Sequence, residues 1–183
     1  KFSMKYQPPY TITSKIIHLI AQISENIGRL TVLEEIQGSL KLRKANRIRT
    51  IQGSLAIEGN TLSTEQITAI LNGKTVIAPP KEVQEVRNAI KAYEAFQQWQ
   101  PSQEVDLLQA HQVLMTGLID EVGQYRHGGV GVMSGDRVVH MAPPANQINR
   151  LMADLLDWLN DSDIHPLIQS SVFHYEFEFI HPF

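Results

Sequence analysis

His174, Glu178 and His181 stand at i, i+4 and i+7, a spacing that shares one face on an unbroken helix. Two imidazoles and a carboxylate so arranged could bind a divalent cation. Pro182 weighs against this, because the residue before proline avoids the helical region and His181 would turn away from the other two. The surrounding Phe173, Tyr175, Phe177 and Phe179 mark the segment as mainly core. The second candidate is His181 alone. An imidazole with a pKa of about 6.5 at a helix-to-loop junction can accept a proton at neutral pH. The chain has no cysteine, which removes disulfides, zinc–thiolate sites and cysteine nucleophiles.

Bulk properties narrow the classes further. A length of 183 residues with 43% hydrophobic and 19% charged residues fits one globular domain, with or without a small appendage. The net charge of -3 gives no electrostatic case for nucleic acid as the main partner. Lys41, Arg43, Lys44, Arg47 and Arg49 form a local basic cluster, better read as a solvated helix face than as a phosphate site. No apolar run approaches the ~20 residues of a membrane span, and the absence of disulfides suits a reducing cytoplasm. Lys1-Phe2-Ser3-Met4-Lys5 carries no signal segment, and neither end reads as a native terminus.

The elements that must position these groups are predominantly helical. Ile16, Ile17, Leu19, Ile20, Ile23 and Ile27 form an apolar stripe, with Thr13 or Ser14 available as its cap. A second helix is predicted over about 40–57, ended by Gly59-Asn60 in a left-handed turn. Ser63-Thr64-Glu65-Gln66 matches a capping box and opens a short helix closed by Asn72-Gly73. Beyond Ala78-Pro79-Pro80, a long helix is expected to turn Val83, Val86, Ile90, Tyr93 and Phe96 inward. Pro101-Ser102 precedes a helix carrying Val105, Leu108, Leu114, Met115 and Leu118. Val130 to Met133 and Arg137 to His140 read as strands around Ser134-Gly135-Asp136, where Gly135-Asp136 suits a two-residue turn. After Pro143-Pro144, Asn146 is placed to cap a helix bearing Ile148, Leu151, Met152, Leu155, Leu156 and Leu159. The last helix should start near His165-Pro166, with proline first, and run to about Ile180. The expected class is all-α with one β-hairpin.

Phe177-Glu178-Phe179-Ile180-His181-Pro182-Phe183 resembles the run into the signature of Fic proteins, H-P-F-x-[DE]-G-N-G-R-x-x-R, of which it holds the first three residues. Ser54-Leu55-Ala56-Ile57-Glu58-Gly59 fits the family's inhibitory pattern, [ST]-x-x-x-E-[GN]. Between them Leu114-Met115-x-Gly117-Leu118, Gly123-x-Tyr125-Arg126, the hairpin, Pro143-Pro144 and Leu155-Leu156-x-Trp158-Leu159 follow in the family's order. The chain thus resembles a Fic/Doc protein of the class with an N-terminal inhibitory helix, truncated within its catalytic motif. The fold implied is a Fic-type helical bundle with a hairpin flap. A helical region at 1–40 would pack on a Fic domain at 41–183 and resembles the helices preceding many bacterial Fic domains.

The resemblance implies a protein adenylyltransferase. His181 would be the general base that takes a proton from a target Ser, Thr or Tyr hydroxyl as it attacks the α-phosphate of ATP. Phe183 would anchor the motif loop in the core. Ser54, Glu58 and Gly59 would form an inhibitory site at the ATP γ-phosphate, with Glu58 occupying an arginine fork that the phosphate needs. Gly131, Val132, Met133 and Ser134 would be the flap edge on which a target segment docks by strand addition. Arg126 and His127 either face the phosphates or, in the case of Arg126, brace the hairpin base. ATP and Mg²⁺ are implied, with no metal ligand in this chain; the ligand and the phosphate-holding loop are expected beyond Phe183, so a polypeptide ending there should be inactive. The partners implied are ATP, a protein substrate with a hydroxyl side chain and a homodimer mate. The resemblance implies no membrane, and nucleic acid only through a winged-helix domain beyond Phe183. A Doc-type phosphotransferase and a non-catalytic toxin–antitoxin or regulatory module are the alternatives.

Overall fold

A computed structural model describes the backbone of residues 5–37 and 40–183 and the side chains of 5–32 and 44–183. The opening Lys1–Met4 and the side chains of Lys41 and Arg43 lie outside the described residues. The described residues form helices α1 (Ser14–Gln37), α2 (Leu40–Ile57), α3 (Thr64–Leu71), α4 (Pro80–Ala95), α5 (Glu104–Met115), α6 (Ile148–Asp161) and α7 (Pro166–Ile180). Strands β1 (Gly131–Ser134) and β2 (Arg137–Met141) make one antiparallel hairpin. The architecture is the all-α bundle with a single hairpin that the sequence predicts.

Local chemistry sets most boundaries. At α3 the Ser63 hydroxyl accepts from the Gln66 N–H at 3.3 Å while the Gln66 side chain accepts from the Ser63 N–H at 2.9 Å, a complete capping box. Pro166 occupies the first turn of α7, where its missing N–H has no intrahelical partner to lose. In the hairpin Gly135 has φ +59° while Asp136 keeps a negative φ, the pattern of a type II′ turn. The register steps from Val132↔His140 to Met133↔Val138, so Val139 is an extra, bulged residue.

Two compact units arise from the contacts. One comprises Lys1–Thr13, Trp99–Gln109 and Gly123–Phe183. Its core is Tyr125, Ile148, Met152, Leu155, Leu156, Trp158 and Ile180, with Phe173, Phe177 and Phe183 packed against it. The other comprises Ser14–Gln98 and Ala110–Val122, and is built on Ile48, Ile51, Leu62, Ile67, Ile70, Val86 and Ile90. In α6 the inward face is close to fully dehydrated, with Ile148, Met152 and Leu155 all at 0% exposure.

Three sequence expectations need correction, and the α1 stripe is only partly covered. Ile16 and Ile20 are half-buried, whereas Ile17, Leu19, Ile23 and Ile27 are exposed, as is every residue from 21 to 32. Periodicity shows which residues share a face, not that anything covers it. Phe96 does not face inward; α4 gives way at Ala95 to a 3₁₀ turn, which leaves Phe96 exposed with its ring edge-on to Tyr93. Asn146 does not cap α6, because a 3₁₀ turn over Ala145–Gln147 precedes it, closed by the Gln147 N–H on the Pro144 carbonyl. In α7 only one side is core, since Tyr175 and Phe179 are exposed.

Candidate functional site

Helix α7 ends on His181, whose backbone is left-handed at φ 48° and ψ 65°; it is the only non-glycine with positive φ among the described residues. That conformation costs about 1–2 kcal/mol for a residue with a Cβ, so its surroundings must hold it there. They do so through the orphan carbonyls that every helix C-terminus leaves. The His181 N–H donates to the Phe177 carbonyl at 2.8 Å. The Arg126 guanidinium donates to the carbonyls of His181 (2.6 Å), Ile180 (3.2 Å), Pro143 (2.7 Å) and Gly128 (2.5 Å). The Arg126 backbone N–H donates to the Pro182 carbonyl at 2.8 Å. From β2, the His140 ring, as its Nε2–H tautomer, donates to the Phe179 carbonyl at 2.8 Å. A guanidinium at this end also complements the negative pole of α7.

The side chains beyond the helix follow from this backbone. Pro182 is fully buried, and Phe183 packs on Tyr125 and Phe177 with ring centroids 5.6 and 6.0 Å away. Burial and, after it, the Glu104 carboxylate push the Tyr125 hydroxyl well above the usual tyrosine range. The His181 imidazole is half-buried and lines a cavity of about 80 Å³ with Phe177, Glu178, Pro182 and Phe183. Such a group can exchange a proton with an incoming hydroxyl, while the cavity is far smaller than a nucleotide site. His174 and Glu178 are exposed on α7, and the backbone turn at His181 breaks the shared face. No three metal-ligating side chains come together among the described residues.

The second candidate lies at the end of α2. Glu58 is the last residue before Gly59, which takes φ +87°. The Asn60 N–H reaches back to the Leu55 carbonyl and the Gly59 N–H to the Ala56 carbonyl, both at 3.1 Å, completing a Schellman cap. Asn60 is buried and anchors this end, its amide donating to the Glu82 carbonyl and to the Glu85 carboxylate at 2.8 Å. Ser54 and Glu58, one turn apart, are both exposed. Gly131, Val132, Met133 and Ser134 are exposed along β1, an edge open to solvent.

Other groups singled out by the sequence have structural occupations. Arg126 braces the hairpin base and the α7 end rather than standing free for phosphates. In the basic cluster, Arg47 donates to the Ile90 carbonyl and lies 3.4 Å from the Glu94 carboxylate, and Lys44 donates to the Asn72 side chain. Sequence reasoning missed His140 and a partly buried tyrosine–glutamate pair. Tyr6 donates to the buried Glu176 carboxylate at 2.6 Å, and burial followed by this bond raises the Tyr6 hydroxyl pKa. A glutamate among the aromatics of α7 was the available signal for that pair, since a buried carboxylate requires a donor. A larger cavity of about 610 Å³ lies beside it, among Tyr6, Tyr10, Asp154, Trp158 and Asp161, away from His181.

Residues 101–183 match the Fic/DOC family. The structure resembles that of a Fic family protein from Desulfovibrio desulfuricans G20, with a TM-score of 0.91 and 61% identity over 97% of this chain and 55% of that one. Among curated relatives, the protein adenylyltransferase Fic of Nematostella vectensis is 29% identical over 80% of this chain and 36% of its own length. The protein adenylyltransferase fic-1 of Caenorhabditis elegans is 31% identical over 81% of this chain and 31% of its own. The chain thus spans about a third of these adenylyltransferases. Residues 101–183 thus carry the Fic/DOC match, and the fold of the chain is similar to that of a Fic family protein.

Proposed function

We propose that this chain takes part in transferring AMP from ATP to a serine, threonine or tyrosine hydroxyl of a protein target. His181 accepts the hydroxyl proton as the oxygen attacks the α-phosphorus. A new O–P bond forms, the bond from that phosphorus to the bridging oxygen breaks, and pyrophosphate leaves. The observation that carries this reading is an imidazole kept half-exposed at a helix end whose backbone is tied on every side. The names of the adenylyltransferase relatives supply the reaction class.

The remaining residues fall into supporting roles. The exposed edge at Gly131, Val132, Met133 and Ser134 receives the target segment by strand addition. Phe183, packed on Tyr125 and Phe177, anchors the segment that follows the base. Ser54, Glu58 and Gly59 restrain the reaction, the Glu58 carboxylate competing with the γ-phosphate for a cationic partner. The described residues do not by themselves make a Mg²⁺ site, and no step here uses one.

The test is intact-mass spectrometry of the native polypeptide and its Glu58→Gly variant after incubation with ATP. The expected result is a single added AMP mass on protein, greater in the variant and absent from Glu58→Gly/His181→Ala. An added phosphate would instead indicate Doc-type transfer, and no adduct in any form would reject the reading.

A further inference from the structure

The clamp around His181 has a consequence for catalysis. Four carbonyls converge on one guanidinium, and they belong to three separate stretches: the α7 end, the loop after Arg126 and the exit of the hairpin. Two of the four, at Ile180 and His181, flank the Cα that carries the imidazole. Because φ and ψ fix the direction of the Cα–Cβ bond, the backbone at His181 also fixes where the ring sits. Nothing intrinsic keeps it there: His181 carries a Cβ in the left-handed region, and Pro182 after it favours extended backbone.

We propose that Arg126 is a positioning residue for His181, acting through the backbone of the α7 C-terminus rather than on a nucleotide. This inference rests on the general-base reading of His181. Only a planar fork can serve carbonyls in several directions at once; the ammonium of a lysine reaches fewer of them and in no fixed plane. The same donors, occupied by carbonyls, are not free to grip a phosphate. His140 closes the remaining side by holding the Phe179 carbonyl, so strand β2 and the base share one hydrogen-bonded cluster.

The test uses Arg126→Lys and Arg126→Ala in the native polypeptide, with two independent readouts. In steady-state transfer, kcat falls on the order of 100-fold, as a displacement of about 1 Å at the base produces. The KM for ATP stays unchanged, and added guanidinium restores part of the Arg126→Ala rate. In NMR, the His181 ¹³Cα shift leaves its left-handed value in Arg126→Lys, which retains the charge and serves where Arg126→Ala does not fold. An unchanged kcat in a folded variant, or a raised KM for ATP at constant kcat as loss of a phosphate contact gives, overturns the proposal. Should neither the parent nor its Glu58→Gly variant show any transfer, the general-base reading fails by itself. The ¹³Cα shift then decides the positioning claim, and an unmoved shift rejects it.

Discussion

The two helix ends that carry the candidate residues solve one problem in opposite ways. At the end of α2 a glycine takes the left-handed position, its neighbours close the cap, and Glu58 stands one residue before it with no positive φ of its own. At the end of α7 the left-handed position is given to His181 itself, and the cap is completed by Arg126, 55 residues away, and His140. The first arrangement is locally specified and unstrained. The second is strained and held from outside, which is the condition expected where a side chain must be aimed rather than merely accommodated.

Substitutions can break or sharpen this contrast. The largest effect is expected at the strained end: His181→Ala should lower transfer by about 10²–10⁴-fold, the usual contribution of a general base, while leaving the folded state intact by circular dichroism. Glu58→Gly should act in the opposite direction. Transfer with labelled ATP should rise on the order of tenfold, within the range of typical coupling between two sites. Unchanged activity would remove Glu58 from the regulatory account.

The next pair concerns stability and differs in sign. Gly59→Ala should destabilise by about 1–2 kcal/mol in urea unfolding, because φ is +87° although no atom lies within 4 Å of the added methyl. His181→Asn should stabilise by a few tenths to about 1 kcal/mol, since asparagine tolerates the left-handed region that histidine is forced into. Equal signs for the two would show that His181 is not strained. Ser63→Ala, at an ordinary cap, should cost about 1 kcal/mol and leave transfer untouched.

The same contrast explains what could be read in advance. Gly59-Asn60, the Ser63–Gln66 box, the Gly135-Asp136 turn and Pro166 are short-range signals, and each appears in the structure where its chemistry requires. Pro182 correctly indicated that α7 stops at His181. It could not indicate the left-handed turn, because the bonds that pay for it come from Arg126 and β2. Arg126 was visible within Gly123-x-Tyr125-Arg126, yet its two readings could be separated only once Pro143 and Ile180 were brought beside it. Apolar spacing likewise named the stripes of α1 and α6 equally well. The α6 stripe is far better covered, with Met152 and Leu155 at 0% exposure while Ile17 of α1 is at 60%. Whether a stripe is buried depends on packing partners that the pattern does not encode.

The most direct test of the central claim is a mass measurement on the Glu58→Gly polypeptide incubated with ATP, made side by side with Glu58→Gly/His181→Ala. One AMP added per modified hydroxyl is expected in the first and none in the second. Equal AMP incorporation in both would show that His181 is not the base and would contradict the central claim.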